Sequence, residues 1–89
     1  MISKKATVNN SIGLHARPAA RFVQMANKFD SEISIRKDNQ EINGKSIIGI
    51  MAVGIAAGEI LEIVAQGHDE EEAVDSLVDL LENQLQGKR

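Results

Sequence analysis

Apolar and polar residues change their spacing several times along this chain, and each change marks an element. In residues 3–9 (SKKATVN) Ala6 and Val8 fall on one face, the two-residue period of a first strand. Asn10, Ser11 and Gly13 then supply loop chemistry. From Ala16 to Lys28 the positions Ala16, Ala19, Ala20, Val23 and Ala26 recur at helical spacing, joined by Phe22, Met25 and Phe29. Pro18 sets the phase of this helix. Its missing N–H is harmless only in the first turn, so the helix must begin within a residue or two of His15.

Residues 32–37 (EISIRK) set Ile33 and Ile35 against charge, a strand with one wet face. Residues 38–40 (DNQ) turn the chain into a short return arm around Glu41–Asn43. Ser46 stands as N-cap before Ile47, Ile48, Ile50, Met51 and Val53, a short apolar helix that Gly54 ends. After the turn AAG, residues 60–66 (ILEIVAQ) read as a strand. Asp69 and Glu72 have capping-box spacing, and Glu70 and Glu71 suit the positive end of a last helix. Ala73, Val74, Leu77, Val78, Leu81 and Leu85 form its apolar stripe; Gly87 is expected to end it, with Lys88 and Arg89 near its negative end. The order β-α-β-β-α-β-α predicts an α+β fold. Its four-stranded antiparallel sheet is covered on one face by three helices, and its first six elements form a split βαβ arrangement.

Length and composition narrow what such a fold can be. Eighty-nine residues suit one compact domain, expected to span 1–89, and 43% hydrophobic residues allow a modest core. There is no cysteine, so disulfides and thiolate metal sites are excluded and an intracellular, cytoplasmic location is the simplest expectation. No apolar run approaches a membrane span, and the first ten residues lack the apolar block of a secretory signal. A net charge of −3, with Phe22 and Phe29 as the only aromatic residues, offers neither the basic stripe nor the stacking platform of a nucleic-acid binder. A transient protein partner or a small, locally held anion fits better.

The candidate chemistry lies in residues 11–20 (SIGLHARPAA). His15 sits beside a helix N-terminus, where unpaired N–H groups favour negative charge. Arg17 adds a guanidinium fork suited to phosphate oxygens, and Gly13 lets the chain turn tightly beside the ring. The neutral ring has a free nitrogen that is a nucleophile. An anionic group arriving there meets donors already aimed at it, as phosphoryl transfer requires. The bland alternative is an exposed loop histidine beside a helix end. No ordered Ser/Cys-and-acid partner suggests a triad. His15 and His68 stand in separate loops without ligand spacing, so neither metal nor cofactor is expected.

GLHARPAA resembles the active-site signature of HPr, the histidine-containing phosphocarrier family of the phosphoenolpyruvate-dependent sugar phosphotransferase system. NGKSIIGIMAVG is similar to that family's regulatory-serine segment, and the likeness covers essentially the whole chain. The resemblance implies the open-faced β-sandwich of that family. It implies a carrier, not an enzyme: His15 accepts the phosphoryl group on Nδ1 from enzyme I, Arg17 stabilises the phosphorylated state, and IIA domains of sugar permeases receive the group. It implies a regulatory Ser46, a substrate of an HPr kinase/phosphorylase. The modified form transfers poorly from enzyme I and binds a catabolite-control transcription factor. A docking patch of Ala20, Gln24, Ile47, Ile48 and Met51 follows from the same likeness, and a monomer is the default expectation for a shuttle that must expose one small face. Ile48 and Ala52 depart from the family's frequent residues at those positions, which bears on partner preference.

Two alternatives stay open: a nitrogen-branch phosphocarrier, and a regulatory-only HPr paralogue, in which the acceptor histidine is replaced. Gly44–Ser46 (GKS) is no Walker A loop, because Asn39 stands where the motif needs glycine. His68 and the acidic run Asp69–Glu72 read as a solvated helix start.

Overall fold

The computed structural model describes residues 1–10 and 13–85. Strand β1 (Ile2–Thr7) leads through a loop to helix α1 (Ala16–Ala26). Strands β2 (Glu32–Lys37) and β3 (Gln40–Asn43) follow, then helix α2 (Ile47–Val53), strand β4 (Ile60–Gln66) and helix α3 (Glu70–Asp79). A π-helical turn, Leu80–Gln84, continues α3. The sheet order is β1-β4-β2-β3, antiparallel throughout, so β4 enters between β1 and β2 and the first and last strands become neighbours. This is the α+β arrangement that the element order predicts. The expected helix end at Gly87, Lys88 and Arg89 lies outside the described residues.

Alternation decides which face the helices cover. Ala6, Ile33, Ile35, Ile42, Leu61, Ile63 and Ala65 are buried toward the helices. Phe22 of α1, Ile50 of α2 and Leu77 of α3 meet them, each fully enclosed. Burying one such side chain contributes about 1.5–3 kcal/mol, which fixes all three helices on one side. On the bare face one cross-strand row reads Lys5, Glu62, Arg36, Glu41. Arg36 lies 3.9 Å from both Glu41 and Glu62. The β2–β3 hairpin turns through Asp38 at φ 57°, a left-handed position that aspartate tolerates.

Two features depart from the sequence pattern. The apolar stripe read from the sequence omits Leu80, three positions after Leu77, yet it is buried together with Leu81 and Leu85. The π turn then sets the end of the stripe: Leu85 N donates to Leu80 O at 3.0 Å, a five-residue step that leaves Leu85 in the core. Its neighbours also clamp the exit of β1, where Thr7 N donates to Glu82 Oε2 at 3.1 Å and Asn9 N to Leu81 O at 3.3 Å.

The Asp69–Glu72 capping box does not form. Asp69 is the N-cap of α3 but makes no capping bond with its side chain. Its carboxylate instead accepts from the Asp30 amide at 2.9 Å, the Ser31 amide at 3.0 Å and the Ser31 hydroxyl. Three donors from the α1–β2 loop outcompete one amide at the helix start. They also hold the Asp69 carboxyl down to about 2, the Ser31 hydroxyl first and the Asp30 amide next. The ionised form is thus the one that folding favours. Its stabilisation is complete above the ordinary carboxylate range and fades as pH falls from about 4 to about 2. Asp69→Ala should lower Tm by several degrees at pH 7, and the gap from the parent should close towards pH 2. Thermal melts across that range check it.

Candidate functional site

His15 occupies the N-cap of α1, with extended backbone angles of φ −75° and ψ −170°. Its carbonyl accepts the first helical bond, from Ala19 N at 2.8 Å. Pro18 has no N–H, so the Ala16 and Arg17 amides stand at the helix start without an intrahelical acceptor. The His15 ring makes no capping bond and is exposed. Both basic side chains of the helix's first turns are exposed, but their situations differ. Arg21 Nη1 donates to Gln84 O at 3.0 Å, tying α1 to the π turn. Arg17 has no partner among the described residues and keeps its fork free.

The loop before His15 is held against the segment that links α2 to β4. Gly13 has φ 76°, a left-handed conformation. A Cβ there would lie 2.5 Å from Ile55 O. Only glycine lets the chain pass so close, and the approach lets Leu14 N donate to Ile55 O at 3.0 Å. Leu14 is buried beneath. The result is an open cleft of about 460 Å³, lined by Leu14, His15, Met51 and residues 54–57 (GIAA). It joins the N-terminus of α1 to the C-terminus of α2, bringing His15 and Met51 into one site.

Ser46 caps α2, its Oγ accepting from Gly49 N at 3.0 Å. At the far end Gly54 closes the helix in the left-handed conformation, φ 73°. Ser46→Ala should cost about 1 kcal/mol, seen as a lower urea midpoint with unchanged slope.

The family model described as "PTS HPr component phosphorylation site" matches residues 2–83. The chain belongs to the HPr family. The HPr-like protein Crh of Halalkalibacterium halodurans is 44% identical over 84 residues, spanning 94% of this chain and all of that one. The phosphocarrier protein HPr of Treponema pallidum is 42% identical over 86 residues, 97% of this chain and 98% of that protein. The crystal structure of HPr-C-His from Thermoanaerobacter tengcongensis superposes with a TM-score of 0.93 at 47% identity, covering the whole of both chains. The open-faced sandwich is thus an HPr fold, the fold of a family that includes phosphocarrier proteins of the phosphotransferase system.

Within this HPr fold the residues singled out from the sequence separate by exposure. Ile48 is 78% exposed and Met51 45% exposed, while Ile50 is fully buried. Ile47 and Val53 pack partly against the core. On α1, Gln24 is exposed and Ala20 half-buried. Ile48 and Met51 therefore form the apolar tip of α2, and Met51 borders the His15 cleft. Sequence reasoning missed the 54–57 segment as part of the HPr site. The positive φ implied by Gly13 was the available signal that some backbone must approach it closely.

His68 lies away from this cleft, its Nε2 2.9 Å from Asp30 Oδ2. That hydrogen bond, with the nearby Asp69 charge, raises the His68 pKa above the ordinary imidazole value. Asp30, His68 and Asp69 each bring a ligand atom within 4.8 Å of the others. The Asp69 oxygens are already taken by the Asp30 and Ser31 donors, so the group reads as a loop-to-loop strut.

Proposed function

We propose that this chain accepts a phosphoryl group from enzyme I on Nδ1 of His15 and passes it to IIA domains of sugar permeases, as a cytoplasmic, monomeric carrier whose single domain spans residues 1–89. One observation carries the reading: an exposed imidazole at a helix N-cap, with two amides lacking helical acceptors and a guanidinium lacking a partner among the described residues. The ring nitrogen's lone pair forms the P–N bond as the donor's bond to phosphorus breaks. The arriving charge then meets the Ala16 and Arg17 amides and the Arg17 fork, so little has to reorganise. Ile48 and Met51, with Ala20, Gln24 and the flank of Ile47, supply a small rigid apolar surface beside the ring. Such a patch suits partners that must leave quickly.

Ser46 is the proposed regulatory position, open to an HPr kinase/phosphorylase. A phosphate there would lie at the positive end of α2 and beside the docking surface, where it favours the helix and hinders enzyme I. The modified form would then present itself to a catabolite-control transcription factor.

The similarity to HPr-like protein Crh favours a second reading, a regulatory-only paralogue. The presence of His15 supports the carrier instead, since the resemblance associates that paralogue with a replaced histidine. Gly44–Ser46 and the apolar run after it favour the sugar branch over the nitrogen branch.

The deciding experiment incubates the chain with enzyme I and labelled phosphoenolpyruvate. An acid-labile, base-stable phosphate is expected; no label, or an acid-stable one, overturns the carrier reading. A serine kinase should separately give an acid-stable mark that Ser46→Ala loses.

A further inference from the structure

We infer that Asn10 is a positioning residue for His15, its side-chain amide fixing the peptide that leads into the imidazole-bearing residue. Its kinetic consequence rests on the carrier reading above; its structural consequence does not. Asn10 is 4% exposed, and its Nδ2 donates to Gly13 O at 2.8 Å. The N–H of the same peptide unit, on Leu14, donates to Ile55 O at 3.0 Å. The Gly13–Leu14 peptide is therefore gripped at both ends, by two different segments, immediately before His15. With Leu14 buried and His15 already at the helix N-cap, little freedom remains to the backbone that carries the ring.

The other end of the Asn10 amide argues that packing is not its purpose. Its Oδ1 is buried and has no hydrogen-bond partner among the described residues. A buried acceptor without a donor weakens a fold, and an apolar side chain of similar size would remove it only by leaving Gly13 O unpaired instead. What an apolar side chain would not supply is the donor to Gly13 O. With stability nearly balanced between the two, what Asn10 adds is a fixed ring platform, the kind of alignment to which transfer rates are steeply sensitive.

Asn10→Leu separates these roles. It exchanges one unpaired buried acceptor, Oδ1, for another, Gly13 O, so Tm should stay within a few degrees of the parent. The smaller Asn10→Ala removes the same donor without any risk of overpacking and should behave alike. In both, hydrogen exchange at the Leu14 amide should accelerate roughly tenfold or more relative to Ile63 in β4, as the peptide loses one grip. With the chain as substrate of enzyme I, kcat should fall about tenfold while KM stays within about twofold, because the docking surface is untouched. Unchanged Leu14 exchange in both variants overturns the inference. So does a kcat loss that merely follows the loss of Tm. If the parent chain takes no phosphate, the carrier reading fails, and the exchange at Leu14 still decides whether Asn10 grips the loop.

Discussion

His15→Ala is expected to take up no acid-labile phosphate from enzyme I, a loss of roughly a thousandfold or more, while its stability changes by no more than about 0.5 kcal/mol. The two halves of that expectation come from the same geometry. The ring makes no capping bond and is exposed, so removing it takes away neither a buried contact nor a helix-end hydrogen bond. His15 O, which accepts from Ala19 N, belongs to the backbone and survives the substitution. The nucleophile alone disappears; the anion-favouring helix start and Arg17 remain. His68→Ala is the matching control and should label normally, since His68 pairs with Asp30 at the other loop pair. Label that persisted in His15→Ala would move the acceptor elsewhere and overturn the site.

Gly13→Ala should be nearly as damaging by another route. The new Cβ would stand 2.5 Å from Ile55 O and 2.9 Å from both Ala56 Cα and Ala57 N. All three are backbone atoms that cannot swing aside. The residue would also have to hold φ 76°, which costs an alanine about 1–2 kcal/mol before any clash is counted. Relief requires the 54–57 segment and the His15 loop to part, breaking the Leu14–Ile55 bond and opening the cleft. A loss of about 2–4 kcal/mol is expected, with phosphate acceptance at 25 °C slowed about a hundredfold in the molecules that stay folded. Gly58 makes the comparison clean: its φ is 86°, yet nothing lies within 4 Å of an added Cβ. Gly58→Ala should show only the backbone penalty and label at the parent rate. Equal behaviour of the two variants, by melts and labelling, would rule out close approach as the reason for Gly13.

Local pattern was enough to read the elements, and Pro18 alone placed the start of α1 beside His15. Alternation in residues 32–37 and 60–66 identified the two central strands, with the bounds of β4 as read. What local pattern does not encode is competition between distant groups. Asp69 and Glu72 have the spacing of a capping box, but the donors that win Asp69 come from residues 30 and 31, thirty-eight or more positions away. Leu80, three positions after Leu77, fits a period of 3.6 and was legible, whereas the five-residue step at Leu85 is set by what the end of α3 packs upon. The site was half legible. His15, Arg17 and Ser46 announce themselves by residue type and position, whereas Leu14 and Ile55 act through a backbone contact between distant segments and Asn10 through a side-chain bond to Gly13 O.

The row Lys5, Glu62, Arg36, Glu41 settles how the molecule treats its two broad sides. Positive and negative alternate from strand to strand, so the row sums to zero and projects little attraction to a distance. A second sheet sliding across it would meet opposite charges in one register and like charges one strand further on. Stacking there is therefore confined to one register and opposed in those beside it. The exposed apolar side chains of Ile48 and Met51 stand instead at the end of the molecule next to the imidazole.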